Sequence, residues 1–179
     1  MSEIKPLVAI HCLVYNHEPY LRDCLEGFVM QQTNFPFVAI VHDDASTDGS
    51  IAIIREYEQK YTHIFKPIYE RENLYQSGGF TVINEVMNTA IETTGAKYVA
   101  MCEGDDYWTD PLKLQKQVDF MEANPEYSVC FHDFQEYDVR TGEYSKLVYR
   151  NPQAMVDGGV DVTPYMFLHH SYGGQPLTM

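Results

Sequence analysis

The chain has 179 residues, room for one ordinary domain, and 45% of them are apolar, enough for a sizeable core. Its 12 Lys and Arg stand against 26 Asp and Glu, and a net charge of −14 argues against a nucleic acid or an anionic membrane surface as the main partner. No apolar run approaches the roughly 18 residues of a transmembrane segment, and the opening Met-Ser-Glu-Ile-Lys-Pro is not a signal peptide, so a soluble cytoplasmic protein is expected.

Leu7 to Val14 is a near-continuous apolar run that suits a strand buried on both faces. Leu21, Cys24, Leu25, Phe28 and Val29 then repeat at helical spacing, which predicts an amphipathic helix over about 18–31 entered through Pro19. Phe37 to His42 reads as a second strand. It runs into Asp43-Asp44-Ala45-Ser46-Thr47-Asp48-Gly49-Ser50, a polar turn able to cap a helix carrying Ile51, Ile54 and Tyr57. Ile64 to Tyr69 is expected as a third strand and Glu70 to Gly79 as a polar loop. Phe80, Ile83, Val86, Met87, Ala90 and Ile91 mark the next helix, ending near Gly95. Lys97 to Cys102 follows as a fourth strand.

Past that strand the character changes. Asp110-Pro111 predicts a helix start, with Leu114, Val118 and Met121 on the inner face and an end near Asn124-Pro125. Tyr127 to His132 reads as another strand, and Gln135 to Tyr149 as a hairpin around Thr141-Gly142, before a Gly- and Pro-rich tail from Asn151. Cys12, Cys24, Cys102 and Cys130 lie apart in apolar segments without C-x-x-C spacing, as buried reduced thiols would.

Strands and helices alternate four times with crossovers long enough for parallel pairing, which predicts a doubly wound α/β sheet. Ligands of such sheets gather at the carboxyl ends of the strands. That rule brings together Tyr15-Asn16 after the first strand, Asp43-Asp44 after the second, and Glu103, Asp105 and Asp106 after the fourth. Three carboxylates within four positions repel one another unless a cation holds them, so the pattern points to a divalent metal, Mg²⁺ or Mn²⁺, docking a phosphate-bearing ligand.

Tyr15-Asn16-His17, Asp43 to Gly49, and Glu103-Gly104-Asp105-Asp106-Tyr107-Trp108, in this order and spacing, resemble the family 2 inverting glycosyltransferases with the GT-A fold over roughly residues 5–135. The resemblance implies a Rossmann-like, mixed and mostly parallel sheet flanked by helices. It implies one domain over 1–179, with a nucleotide-sugar-binding half at 1–109 and an incomplete acceptor-side half at 110–179, the first portion of a longer catalytic domain. Asp44 would accept a hydrogen bond from the nucleotide base, usually uracil, with Tyr15 packed on it. Glu103 would face the ribose or donor sugar, Asp105 would hold the metal across the two phosphates, and Asp106 would be a second ligand or orient Asp105. Glu103 replaces the more usual Asp of this motif, and Leu13 stands where many relatives carry Thr or Pro.

The activity implied is metal-dependent transfer, by single displacement, from a nucleotide sugar such as a UDP-sugar to a saccharide or lipid-linked acceptor. Cell-surface polysaccharide synthesis is the implied setting, in the cytoplasm or peripherally at the inner membrane face. The catalytic base of relatives projects beyond Met179, and His132 and Asp133 are the nearest candidates inside the chain.

Alternative assignments stay open for several side chains. Asp43 and Asp48 can cap turns instead of touching ligand; Tyr107 and Trp108 can pack on the following helix or line a sugar pocket; Arg71 and Asn73 can approach a diphosphate or sit solvated. His11 and His42 read as satisfied core histidines, and the adjacent His169 and His170 as a weak ligand pair. Three competing functions are a sugar nucleotidyltransferase, a dinucleotide oxidoreductase, and a non-catalytic nucleotide-binding or interaction fragment. The first lacks its basic Gly-rich loop after strand one and the second its G-x-G-x-x-G turn.

Overall fold

A computed structural model describes residues 5–132, 134–144 and 177–178. The chain divides into two compact units, Met1–Cys130 with Leu177–Met179, and Phe131–Pro176. The first unit is built on strands β1 (Val8–Val14), β2 (Phe37–Asp43), β3 (Ile68–Tyr69), β4 (Tyr98–Met101), β5 (Val129–Cys130) and β8 (Leu177–Thr178), with helices α1 (Leu21–Val29), α2 (Ser50–Lys60), α3 (Leu74–Thr94) and α4 (Lys113–Ala123). The strands form one sheet in the order β3-β2-β1-β4-β8-β5. The first four are mutually parallel and β8 is antiparallel to both β4 and β5, the mixed, mostly parallel sheet expected.

This strand order explains where a ligand belongs. From central β1 the chain steps outward through β2 to β3 and then crosses back to β4 on the other side of β1, so the connections diverge around the carboxyl end of β1. Because β1 is buried on both faces, its side chains serve two cores. Val8, Ile10, Cys12 and Val14 join Leu21, Cys24, Leu25 and Phe28 of α1, Ile53, Ile54 and Tyr57 of α2, and Leu114, Val118 and Met121 of α4. Ala9, with Ile40 of β2, packs on the opposite face against Ile83, Met87 and Ile91 of α3.

Several boundaries move from the sequence expectation for local reasons. The polar loop expected over Glu70–Gly79 is helical from Leu74, because the Asn73 side chain caps the turn by accepting from the Gln76 N–H at 2.7 Å. The paired glycines do not stop the helix; Gly79, at φ 68° and ψ −169°, kinks it, a conformation open to glycine alone. The third strand shortens to Ile68–Tyr69, with Phe65 making only an isolated parallel bridge to Ala39. α4 begins at Lys113, not at Pro111, since the Asp110 carboxylate accepts from the Leu112 N–H at 2.9 Å and holds a turn ahead of the helix. The strand expected over Tyr127–His132 is confined to β5.

In the second unit, β6 (Tyr137–Asp138) and β7 (Glu143–Tyr144) pair antiparallel around Gly142 at φ 72°, the expected hairpin. Residues 145–149 of that hairpin, the tail over 151–176 with its His169-His170 pair, and Asp133 lie outside the described residues.

Candidate active site at the carboxyl ends of the parallel strands

The loops after β1 and β2 are laced together. Asn16 N–H donates to Ser46 Oγ at 3.0 Å, His17 N–H to Ser50 Oγ at 3.0 Å, and Glu18 N–H to Asp48 Oδ2 at 3.0 Å. In return, Thr47 N–H donates to Asn16 Oδ1 at 2.8 Å and Gly49 N–H to Glu18 Oε2 at 2.7 Å. Asp48 Oδ1 also accepts from the Ser50 N–H at the start of α2, and Asp43 Oδ2 accepts from Ser46 N–H, so both hold turns ahead of α2. Asn16 and Ala45 carry positive φ, 56° and 60°, one at each strand exit. Asparagine tolerates that region, whereas Ala45 is strained there.

The two strand ends and the end of β4 present their residues to one face. Leu13 pairs with His42 and His11 with Met101, so all four look toward α3. The ladder continues past the strand ends, with Asp44 N–H donating to Val14 O and Gly104 N–H to Leu13 O, both at 2.9 Å. Two residues on from Leu13, His42 and Met101, that alternation reaches Tyr15, Asp44 and Glu103. The three side chains assigned to nucleotide binding thus issue from three neighbouring strand ends.

Tyr15 is exposed at 39%, as a base-stacking ring needs to be, whereas Asp44 is only 4% exposed. The Asp44 carboxylate is also engaged: Oδ1 accepts from Leu74 N–H at 2.6 Å and Oδ2 from Tyr75 N–H at 3.1 Å, at the start of α3. Asn73, read from the sequence as able to approach a diphosphate or sit solvated, donates to the Asp44 carbonyl at 3.1 Å, and Arg71 is exposed. His11 and His42 are buried, but their Nδ1 atoms have no hydrogen-bond partner, so they are not the fully satisfied pair expected. His42 Nε2 meets Glu70 Oε1 at 3.2 Å, and burial, only partly offset by a backbone hydrogen bond, lowers the pKa of His11.

The acidic turn after β4 is built differently. Asp105 and Asp106 are exposed and Glu103 is half-buried. Burial, then the neighbouring charges of Asp105 and Asp106, push Glu103 up to about 7. Gly104 lets this turn lie close: a Cβ there would sit 2.7 Å from His17 Nδ1, 2.9 Å from Val14 Cγ2 and 3.1 Å from the Leu13 carbonyl oxygen. Behind the turn, Cys24 Sγ donates to the Glu103 carbonyl at 3.4 Å and Cys102 Sγ to the Asp106 carbonyl at 3.8 Å. Those cysteines and Cys12 are buried and Cys130 is half-buried, all of them free thiols as expected.

Trp108 packs into the core, 5% exposed and 4.9 Å from the Phe28 ring, while Tyr107 stays exposed at 39%. Lys113 lies over Trp108, Nζ 4.0 Å from the ring centroid, and burial pushes its amine down to about 8. Lys113 and the Asp44–α3 contact are absent from the sequence reading; Asn73 directly ahead of Leu74-Tyr75-Gln76 is the capping signal that could have exposed the second.

Among the described residues no group of three or more side chains closes into a ready-made metal cage. The donor set nevertheless fits a hard divalent cation, which takes one or two carboxylates and fills its remaining positions with water and phosphate oxygens. A half-buried glutamate whose pKa is raised by burial, and then by two adjacent carboxylates, is the unfavourable charge arrangement that such a cation would relieve.

A parallel-centred sheet flanked by helices, with an acidic turn at the strand switch, defines a mixed, mostly parallel α/β domain. The model of the family described as "Glycosyl transferase family 2" matches residues 10–157, and the chain belongs to that family. A Mycobacterium tuberculosis protein of uncharacterised function is 35% identical over 196 residues, covering 94% of this chain and 55% of its own length. The Bacillus subtilis protein named as teichuronic acid biosynthesis glycosyltransferase TuaG is 35% identical over 147 residues, covering 82% of this chain and 53% of its own. The chain thus spans about half the length of these curated relatives.

Two solved structures share the GT-A fold. S. aureus TarS in complex with UDP superposes with a TM-score of 0.53 at 23% identity, over 68% of this chain and 33% of its own. The mannosyltransferase PcManGT from Pyrobaculum calidifontis, in complex with GDP-Man and Mn²⁺, gives 0.56 at 22% identity, over 70% and 34%. No helix among the described residues is long and apolar enough to cross a membrane.

Proposed function

We propose that this chain is the donor-binding portion of a metal-dependent, inverting glycosyltransferase that takes its sugar from a nucleoside-diphosphate sugar, in the first instance a UDP-sugar. The observation that supports this reading is that Tyr15, Asp44 and Glu103 follow the ends of three adjacent parallel strands, where Asp44 N–H and Gly104 N–H still bond to the end of β1, with the exposed carboxylates of Asp105 and Asp106 next in the chain. Tyr15 offers a ring for the base and Asp44 an acceptor for its N–H. Glu103 takes ribose or donor-sugar hydroxyls, and Asp105, oriented by or aided by Asp106, binds Mn²⁺ or Mg²⁺. The cation, when bound, offsets the charge that gathers on the departing diphosphate.

Family membership and the relative named for teichuronic acid biosynthesis support a saccharide or lipid-linked acceptor in cell-surface polysaccharide synthesis. On this reading residues 1–109 form the donor half and 110–179 the beginning of the acceptor half, working in the cytoplasm or against the inner membrane face. The base that takes the acceptor proton is not assigned: His132 is half-buried and Asp133 lies outside the described residues.

Calorimetric titration of UDP with and without Mn²⁺ tests the donor site, with Asp105→Ala alongside. Binding that requires both the cation and Asp105 is expected; silence toward UDP and every other nucleoside diphosphate overturns the proposal. Turnover of a UDP-sugar, read as released UDP, separates an enzyme from a fragment that only binds.

A further inference from the structure

The carboxylate offered to the base is already taken. Asp44 is 4% exposed, and each of its oxygens accepts a backbone N–H from the first turn of α3, Leu74 at 2.6 Å and Tyr75 at 3.1 Å. Little of the carboxylate is open to a base while that turn stays where it is. The turn is, however, a separable piece of helix. It ends at Gly79, whose φ of 68° and ψ of −169° interrupt the helical path, and a Cβ at Gly79 would find nothing within 4 Å. The turn also keeps its own cap, because Asn73 Oδ1 accepts from Gln76 N–H at 2.7 Å independently of the Asp44 carboxylate. Tyr75 stands 60% exposed, so little side-chain packing at that residue resists displacement.

We propose that residues 74–78 form a latched lid over the nucleotide site, hinged at Gly79, and that the incoming base opens it by displacing the Leu74 and Tyr75 amides from Asp44. The proposal rests on the reading of Asp44 as the base contact and adds its consequence: donor binding exchanges an internal ligand of Asp44 for an external one. Competition of this kind lowers the apparent affinity for donor by the fraction of molecules in which the lid is open. It also couples the site to α3, whose inner residues Ile83, Met87 and Ile91 pack the sheet face beneath. Opening must also draw Leu74 from the apolar cluster under α3, while Asn73 keeps its bond to the Asp44 carbonyl on the near side of the turn. Charge is conserved in the exchange: one carboxylate gives up two amide donors and receives the base N–H, and no proton need be transferred.

Amide hydrogen exchange at Leu74 and Tyr75, measured by NMR on the labelled protein with Mg²⁺ and with UDP or GDP as the nucleotide, reads the latch directly. Exchange of both amides at least tenfold faster in the saturated complex than with Mg²⁺ alone is expected. Unchanged or slower exchange, in a sample where calorimetry shows Asp105-dependent binding, overturns the lid and leaves the donor site standing. Absence of binding by either nucleotide instead overturns the donor-site reading and the lid with it.

Two variants test the parts. Asp44→Asn keeps the shape with one acceptor oxygen in place of two, so one of the two amides should exchange about tenfold faster without any nucleotide; unchanged exchange of both removes the carboxylate as latch. Gly79→Ala strains the φ of 68° that the latched turn holds, so it should raise the open fraction and tighten nucleotide binding about tenfold while Mg²⁺ binding is unchanged. Nucleotide affinity equal to that of the parent protein removes Gly79 as hinge.

Discussion

The turn after β2 and the turn after β4 both carry three acidic residues, yet they solve opposite problems. In the first, Asp43, Asp44 and Asp48 each accept backbone N–H groups at 2.6–3.1 Å, so their charge is spent on holding loops and helix starts. In the second, Asp105 and Asp106 face solvent and Glu103 is driven toward its protonated form by burial and by those two neighbours. A carboxylate hydrogen-bonded to the backbone stabilises a fold; a carboxylate left among its like destabilises it and persists for what it can bind. On the proposed function, the first turn is scaffold with one member, Asp44, that can be recruited, and the second is the site proper.

The largest effect that separates them is on binding. Asp105→Ala should weaken Mn²⁺-dependent nucleotide binding at least about 100-fold, or roughly 2.7 kcal/mol, with the melting temperature unchanged or slightly raised as one like charge leaves. Chelation of the cation should do the same to the parent protein. Nucleotide affinity that survives either treatment would move the metal elsewhere.

A comparable loss, this time of stability, is expected where the second turn leans on the first. Gly104→Val places a branched side chain where a Cβ alone would stand 2.7 Å from His17 Nδ1 and 3.1 Å from a backbone oxygen. Denaturant unfolding should show a loss of about 3 kcal/mol, the upper range for overpacking, with nucleotide binding lost as well.

The two turns should also respond to pH with opposite signs. The Glu103 pKa lies at about 7, above its ordinary value of 4.5, so within that window the folded protein retains a proton that the unfolded chain has released. Stability is therefore highest below the window and declines through it as pH rises, by about 1–2 kcal/mol after allowance for partial exposure; Glu103→Gln should flatten the decline. For Asp48, slight burial pulls its pKa upward, but hydrogen bonds from Ser50 and from the Glu18 backbone hold it below the ordinary value. Its contribution is present above the unfolded pKa and fades as pH falls through the folded one. Asp48→Ala should cost about 1 kcal/mol at neutral pH, the usual worth of such a cap, and less in acid; equal cost at both would show that packing and not charge matters there.

Most of this contrast was legible in the sequence. The parallel strands, the helices at 3.6-residue spacing and the acidic turn after β4 follow from local pattern, because each is written in adjacent residues. What escaped is what three-dimensional contact decides. Asp44 reads as a ligand residue, since nothing near position 44 announces that it meets residues 74 and 75. Likewise Gly78-Gly79 reads as the end of a polar loop, whereas capping by Asn73 and the Asp44 carboxylate starts the helix at Leu74 and carries it across a kink. Trp108 could be read either way from sequence; the contact with Phe28 sends it inward.

The smallest predicted effect sharpens the contrast most finely, because it lies within the scaffold turn itself. Ala45 follows Asp44 directly and holds a φ of 60°, where an alanine Cβ crowds the next carbonyl at a cost of about 1–2 kcal/mol. Glycine avoids that cost but adds unfolded-chain freedom worth about 0.5–1 kcal/mol, so Ala45→Gly should stabilise by about 0.5–1 kcal/mol, a rise of about 1–3 °C in melting temperature. If the turn were scaffold alone, nucleotide affinity would be untouched. On the proposed function Asp44 holds its carboxylate both for the α3 amides and for the base, so a looser backbone beside it should weaken nucleotide binding about two- to threefold while the protein melts higher. A rise in stability with unchanged affinity would assign the strain at Ala45 to folding history and leave Asp44 positioned by its hydrogen bonds alone.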